Sequence, residues 1–88
     1  MKEKVTAQRA AAKLAAYLHH DLTLSELVGW AEEAMMEGEF PTRKRKEVRD
    51  VVARLGLADV RAFGLTWEDC EEMLHKLGYS AHVDVSAD

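Results

Sequence analysis

Three groups of side chains have the types that do chemistry, and none completes a site. Glu72-Met73-Leu74-His75 matches the Glu-x-x-His step used by carboxylate-bridged metal bundles. Such sites need a second step of the same kind and further inward glutamates. The sequence offers no second step, since Ala16 stands three residues before His19 and Tyr17 three before His20. His19 and His20 are adjacent, so on a helix they diverge by about 100° and do not face one ion. A surface pair of Glu71 with His75 accounts for the motif better, and neither a metal nor a cofactor is expected.

Cys70 is the single cysteine. It falls on an apolar stripe beside Trp67 and Leu74, the usual place of a small buried hydrophobe. Glu68, Asp69, Glu71 and Glu72 surround it and disfavour the thiolate that a nucleophile needs. A glycine-rich phosphate loop and a nucleophile elbow are both missing. The expectation is therefore a protein that is not an enzyme. One cysteine excludes an intramolecular disulfide and fits a reducing compartment.

The elements that would position these groups are helices. Leu22-Thr23-Leu24-Ser25-Glu26 recurs in outline as Leu65-Thr66-Trp67-Glu68-Asp69. In each copy the threonine hydroxyl can accept from an amide of the first turn, and the acid three residues on can reach back to the threonine amide. Leu22 can staple onto Leu27. Apolar spacing predicts a first helix from about Thr6 to His20 and a second from Thr23 to about Met36, with Gly38 as a left-handed stop. Phe40-Pro41-Thr42 reads as a turn whose proline suits the start of a third helix, which reaches Leu55. Gly56 ends it, and Leu57 is expected to fold back onto Val52.

Ala58–Phe63 has room for a single helical turn. The last helix runs from Trp67 to about Lys76 and closes at Gly78. The tail Tyr79–Val85 alternates apolar and polar residues, a strand signal. The fold class is all-α: one domain spanning residues 1–88, a bundle of four main helices with that extra turn and a short C-terminal strand. Ala10–Leu18 is apolar, but Lys13 interrupts it and His19-His20-Asp21 follows, which does not fit a secretory signal. No stretch approaches the ~20 apolar residues of a membrane span. A cytoplasmic location is expected.

Charge comes in blocks of alternating sign. Residues 1–20 carry net +3, residues 21–40 net −6, residues 41–54 net +4 and residues 55–88 net −5. Oppositely charged helices lying side by side account for most of this. Arg43-Lys44-Arg45-Lys46 is the strongest patch, and cations in a first turn oppose the helix dipole. Arg43 with Glu47 and Asp50 with Arg54 are spaced to relieve part of that cost. The second helix has too wide an apolar arc for a surface helix. Leu24, Leu27, Val28, Ala31, Ala34 and Met35 fill its core stripe, Trp30 extends one flank, and Gly29 with Met36 extends the other. Gly29 costs a helix roughly 1 kcal/mol against alanine, which close backbone approach would explain. Ala12 and Ala16 give the first helix a smooth second side.

Val51–Leu57 resembles the first helix and turn of a helix-turn-helix motif over about ten residues. The following segment holds Gly64 and only Arg61 as a cation, so it lacks side chains for base edges and phosphates. The chain therefore reads as a small acidic, non-enzymatic protein-interaction module of the antitoxin, immunity or adaptor kind. Its expected partner is another protein or a second copy of itself, as a homodimer. The expected contact residues are Gly29, Trp30, Met36, Arg43, Lys44, Arg45 and Lys46. The competing reading is a nucleic-acid-associated accessory protein using Arg43–Lys46. Neither a membrane nor a small-molecule substrate is implied.

Overall fold

Threonines start three of the four helices. Thr23 accepts from the Glu26 amide at 3.1 Å while the Glu26 carboxylate accepts from the Thr23 amide at 2.9 Å. The same reciprocal pair joins Thr66 and Asp69 at 3.1 and 3.0 Å. Thr6 caps a third start by accepting from the Arg9 amide at 3.0 Å, with no acid positioned to complete the box. These caps open α1 (Ala7–Leu18), α2 (Leu24–Glu37) and α4 (Trp67–Lys76), with α3 (Arg45–Leu55) between the last two. The computed structural model describes residues 4–41, 43–59 and 65–79. Over these the protein is an all-α bundle. The expected tail strand, apart from Tyr79, lies outside the described residues, as does most of the expected turn at Ala58–Phe63.

The helices meet on one apolar core. Leu14 of α1, Leu27 of α2, Leu55 of α3 and Leu77 after α4 are all fully buried. Burying each such side chain contributes roughly 1.5–3 kcal/mol. Val48, Val51 and Val52 complete the stripe of α3, which packs on α1, α2 and α4. Among the described helices, α2 rests on α1 and α3. Leu22 is partly buried and packs against the same core, of which Leu27 is a member.

Several local expectations are corrected. Helix α3 does not start at the proline: Lys44 adopts a left-handed backbone with φ 55° and the helix begins at Arg45, without a side-chain cap. Arg43 and Lys44 thus precede the helix instead of crowding its first turn. Gly38 is not a left-handed stop either, since its φ of −75° and ψ of 156° are extended. Its lack of a side chain serves packing. A Cβ there would lie 2.5 Å from Val5 Cγ2 and 2.6 Å from the Ala34 carbonyl oxygen. Val5 is fully buried, and its amide donates to the Glu39 carbonyl at 2.7 Å, bringing the segment before α1 against the α2–α3 loop.

Leu57 does not fold back; it is exposed, and Ala58 turns inward in its place. Gly56 keeps a right-handed helical backbone, so the left-handed reversal that would aim Leu57 at Val52 never forms. The two left-handed helix ends lie elsewhere. Gly78 has φ 95°, with Tyr79 N–H donating to the Leu74 carbonyl and Gly78 N–H to that of His75, the paired bonds of a Schellman motif. His20 has φ 64° and closes α1 by the same pattern, through Asp21 to Ala16 and His20 to Tyr17.

Candidate functional site

The expected contact residues of α2 separate into two surfaces. Trp30 is half-buried against the core, with the Lys13 ammonium of α1 at 5.7 Å from its ring centroid. The fold itself therefore uses this flank. Gly29 and Met36 are seven residues apart, so they share one strip along the helix, about 20° off register and roughly 100–120° from Trp30. Met36 is 82% exposed, and a Cβ on Gly29 would meet nothing within 4 Å. The expected close approach to Gly29 is thus not made by any of the described residues. Glu32 and Glu33, both exposed, flank the strip. On α1, Ala12 is exposed and Ala16 half-buried.

The basic segment is partly structural. Lys44 Nζ donates to the Leu77 carbonyl at 3.4 Å, placing a cation at the negative end of α4. Arg45 Nε donates to the Phe40 carbonyl at 3.1 Å, and the Arg49 guanidinium lies 5.6 Å from the Phe40 ring centroid. Arg43 and Lys46 are exposed. Ion pairs cross between helices: Arg54 meets Asp69 at 3.3 Å, and Lys76 meets Asp50 at 3.4 Å. Both are partly exposed, so each contributes on the order of 0–1 kcal/mol. Side-by-side packing of helices with opposite charge is realised between α3 and α4.

The residues with catalytic chemistry stay apart. Cys70 is buried, and burial, reinforced by Asp69 and opposed by Arg54, pushes its thiol up to about 11. Glu72 and His75 both stand exposed along the cleft between α3 and α4. Among the described residues no group of three or more His, Cys, Asp or Glu side chains is arranged to hold a metal ion. No described helix is long and apolar enough to cross a membrane.

Two residues were invisible as site candidates from sequence. Lys4 is carried beside the α2–α3 loop by its bridge to Glu39, thirty-five residues away. Tyr79 borders the groove that holds Arg43 and Lys44. Neither has a local sequence signal, because both depend on contacts between distant segments. Compared with known proteins, the chain matches no family model, no curated protein and no solved structure.

Proposed function

We infer that the chain is a non-enzymatic protein-interaction module whose contact surface is the outer strip of α2. The observation that carries this reading is Gly29. It sits inside a helix at a cost of roughly 1 kcal/mol against alanine, and none of the described residues needs the space. Met36 stands exposed two turns along the same strip. A glycine notch beside an exposed methionine admits a partner's side chain or backbone at close range. Cys70, buried and held protonated, and Glu72 and His75, standing in solvent, support the non-enzymatic part of the reading. A cytoplasmic setting belongs to the same proposal.

The flanking carboxylates shape the choice of partner. A basic surface complements Glu32 and Glu33. A second copy docked α2 against α2 sets them against their equals, a like-charge cost that salt relieves. Sedimentation velocity over a concentration series, at low and high salt, tests self-association. The expected result is a dimer that forms more readily at high salt and is abolished by Met36→Asp. A chain that stays monomeric at the highest concentration in both salts removes the homodimer.

A further inference from the structure

We propose that the face centred on the Lys4–Thr6 segment binds single-stranded nucleic acid, its cations on successive phosphates and Tyr79 as a stacking platform for one base. Three grooves meet on this segment. One, of about 570 Å³, holds Arg43, Lys44 and Tyr79 and is bordered by Thr6 and Gln8. A second shares Thr6 and Gln8 and adds Lys4 and Arg9. A third shares Lys4 with the second and Pro41 with the first, and adds Arg45. Among the described residues that line the three, Glu39 is the single carboxylate.

The two basic blocks of the sequence thus converge in space, in a chain whose net charge is −4. The convergence is built by the core: the buried Val5 and its bond to Glu39 hold Lys4 against the loop that carries Arg43–Arg45. Like charges that line adjoining grooves repel one another, and an anion bound between them relieves that repulsion. Lys44 and Arg45 each spend one donor on a backbone carbonyl, which fixes their side chains. A lysine ammonium has three donors and a guanidinium five, so both retain capacity for phosphate oxygens.

Tyr79 distinguishes nucleic acid from other polyanions. It is 43% exposed, and its backbone is pinned by the bond from its amide to Leu74. An exposed ring that shares a groove with cations is the arrangement that binds bases of a single strand without sequence preference. The face differs from the sequence-level patch Arg43–Lys46. It gains Lys4, Arg9 and Tyr79, and Lys46 is not among its lining residues.

Fluorescence anisotropy with a labelled oligothymidylate of ~12 nucleotides, inside the usual span of single-strand sites, tests the proposal on the full chain. The slope of log affinity against log salt should be about −2 to −3.5, for three to five phosphates at roughly −0.7 each. Tyr79→Ala should weaken binding roughly 5-fold or more, and Tyr79→Phe should preserve it. Arg43→Glu should weaken binding more than Lys46→Glu, although both change the net charge equally. Circular dichroism confirms that each variant keeps its helices. Four results overturn the proposal: no salt-dependent binding, equal losses for Arg43→Glu and Lys46→Glu, no loss for Tyr79→Ala in a folded chain, or polyglutamate competing as well as the oligonucleotide.

Discussion

Gly38→Ala probes the contact on which the basic face depends. The backbone at Gly38 is extended and open to any residue, so alanine there carries no conformational strain. By the unfolded-state argument alone, the substitution would stabilise by about 0.4–1 kcal/mol. Packing reverses the sign. The new methyl would sit 2.5 Å from Val5 Cγ2 and 2.6 Å from the Ala34 carbonyl oxygen. Neither neighbour yields easily, because Val5 is fully buried and the carbonyl belongs to the last turn of α2. Overpacking of this kind costs about 1–3 kcal/mol, and with two unyielding contacts under 3 Å the upper half of that range applies, which leaves a net loss of about 1–2 kcal/mol.

Thermal unfolding followed by circular dichroism reads that loss as a Tm lower by roughly 5–15 °C, at 4–8 °C per kcal/mol for a domain of this size. In a Val5→Ala background the loss should shrink, with a coupling of at least about 0.5 kcal/mol between the two sites. Gly56→Ala and Gly29→Ala supply the contrast. The first adds a methyl at ordinary contact distance on a right-handed backbone, and the second adds one in open space. Both should gain about 0.4–1 kcal/mol. A Gly38→Ala chain as stable as the parent would refute the packing account.

Cys70 should resist iodoacetamide in the native protein at pH 8 and react once denaturant unfolds the chain, as mass spectrometry would record; rapid native labelling contradicts the buried, protonated thiol. Its stabilising effect is intact below the unfolded thiol value of ~8.5 and fades as pH rises towards 11. Glu26 and Asp69 are held below their ordinary values of 4.5 and 3.8, first by the backbone bonds from Thr23 and Thr66. Their contribution is present above those values and lost as pH falls through the lowered ones. Glu26→Gln and Asp69→Asn should therefore be less stable than the parent at neutral pH and converge with it in urea titrations as pH falls through the lowered values; a gap that persists once both acids are protonated contradicts the capping account. His20→Gly should raise stability by about 0.5–1 kcal/mol, since glycine removes the left-handed penalty but loosens the unfolded chain; an unchanged or lower Tm would show that His20 is not strained.

What was legible in the sequence is what local spacing decides. The boxes at Thr23 and Thr66 need only a hydroxyl and an acid three residues on, and both form as read. The core stripe of α3 follows from Val48, Val51, Val52 and Leu55. The start of α3 was misplaced because Pro41 is a permissive signal for a helix start, whereas Lys44 is positioned by its bond to Leu77 across the bundle. Gly38 has the same difficulty, its reason being a valine thirty-three residues earlier. At Gly56 the glycine suggested a reversal that its right-handed backbone does not make, so Leu57 and Ala58 exchange places. The candidate surfaces were legible only in part. Gly29, Met36 and Arg43 stand exposed, Trp30 is taken up by α1, and Lys4 and Tyr79 reach the basic face through contacts that no short window contains.

Charge segregation in the folded chain has a mechanical origin. Alternating blocks along a helical hairpin would neutralise each other if every helix paired with its sequence neighbour. Here ion pairs join α3 to α4, at Arg54 with Asp69 and Asp50 with Lys76. Helix α2 meets its neighbours through its core stripe, so Glu32 and Glu33 are left on its outer side. The cations of the α2–α3 loop, with no helical face to share with those acids, gather instead around Lys4. Surface fields fall off within a Debye length, so a ligand approaching either face at physiological salt responds to that face more than to the net charge. One small acidic chain can then offer a carboxylate-flanked strip and a cationic groove at once, and the same buried Val5 that tightens the core decides whether the second of these exists.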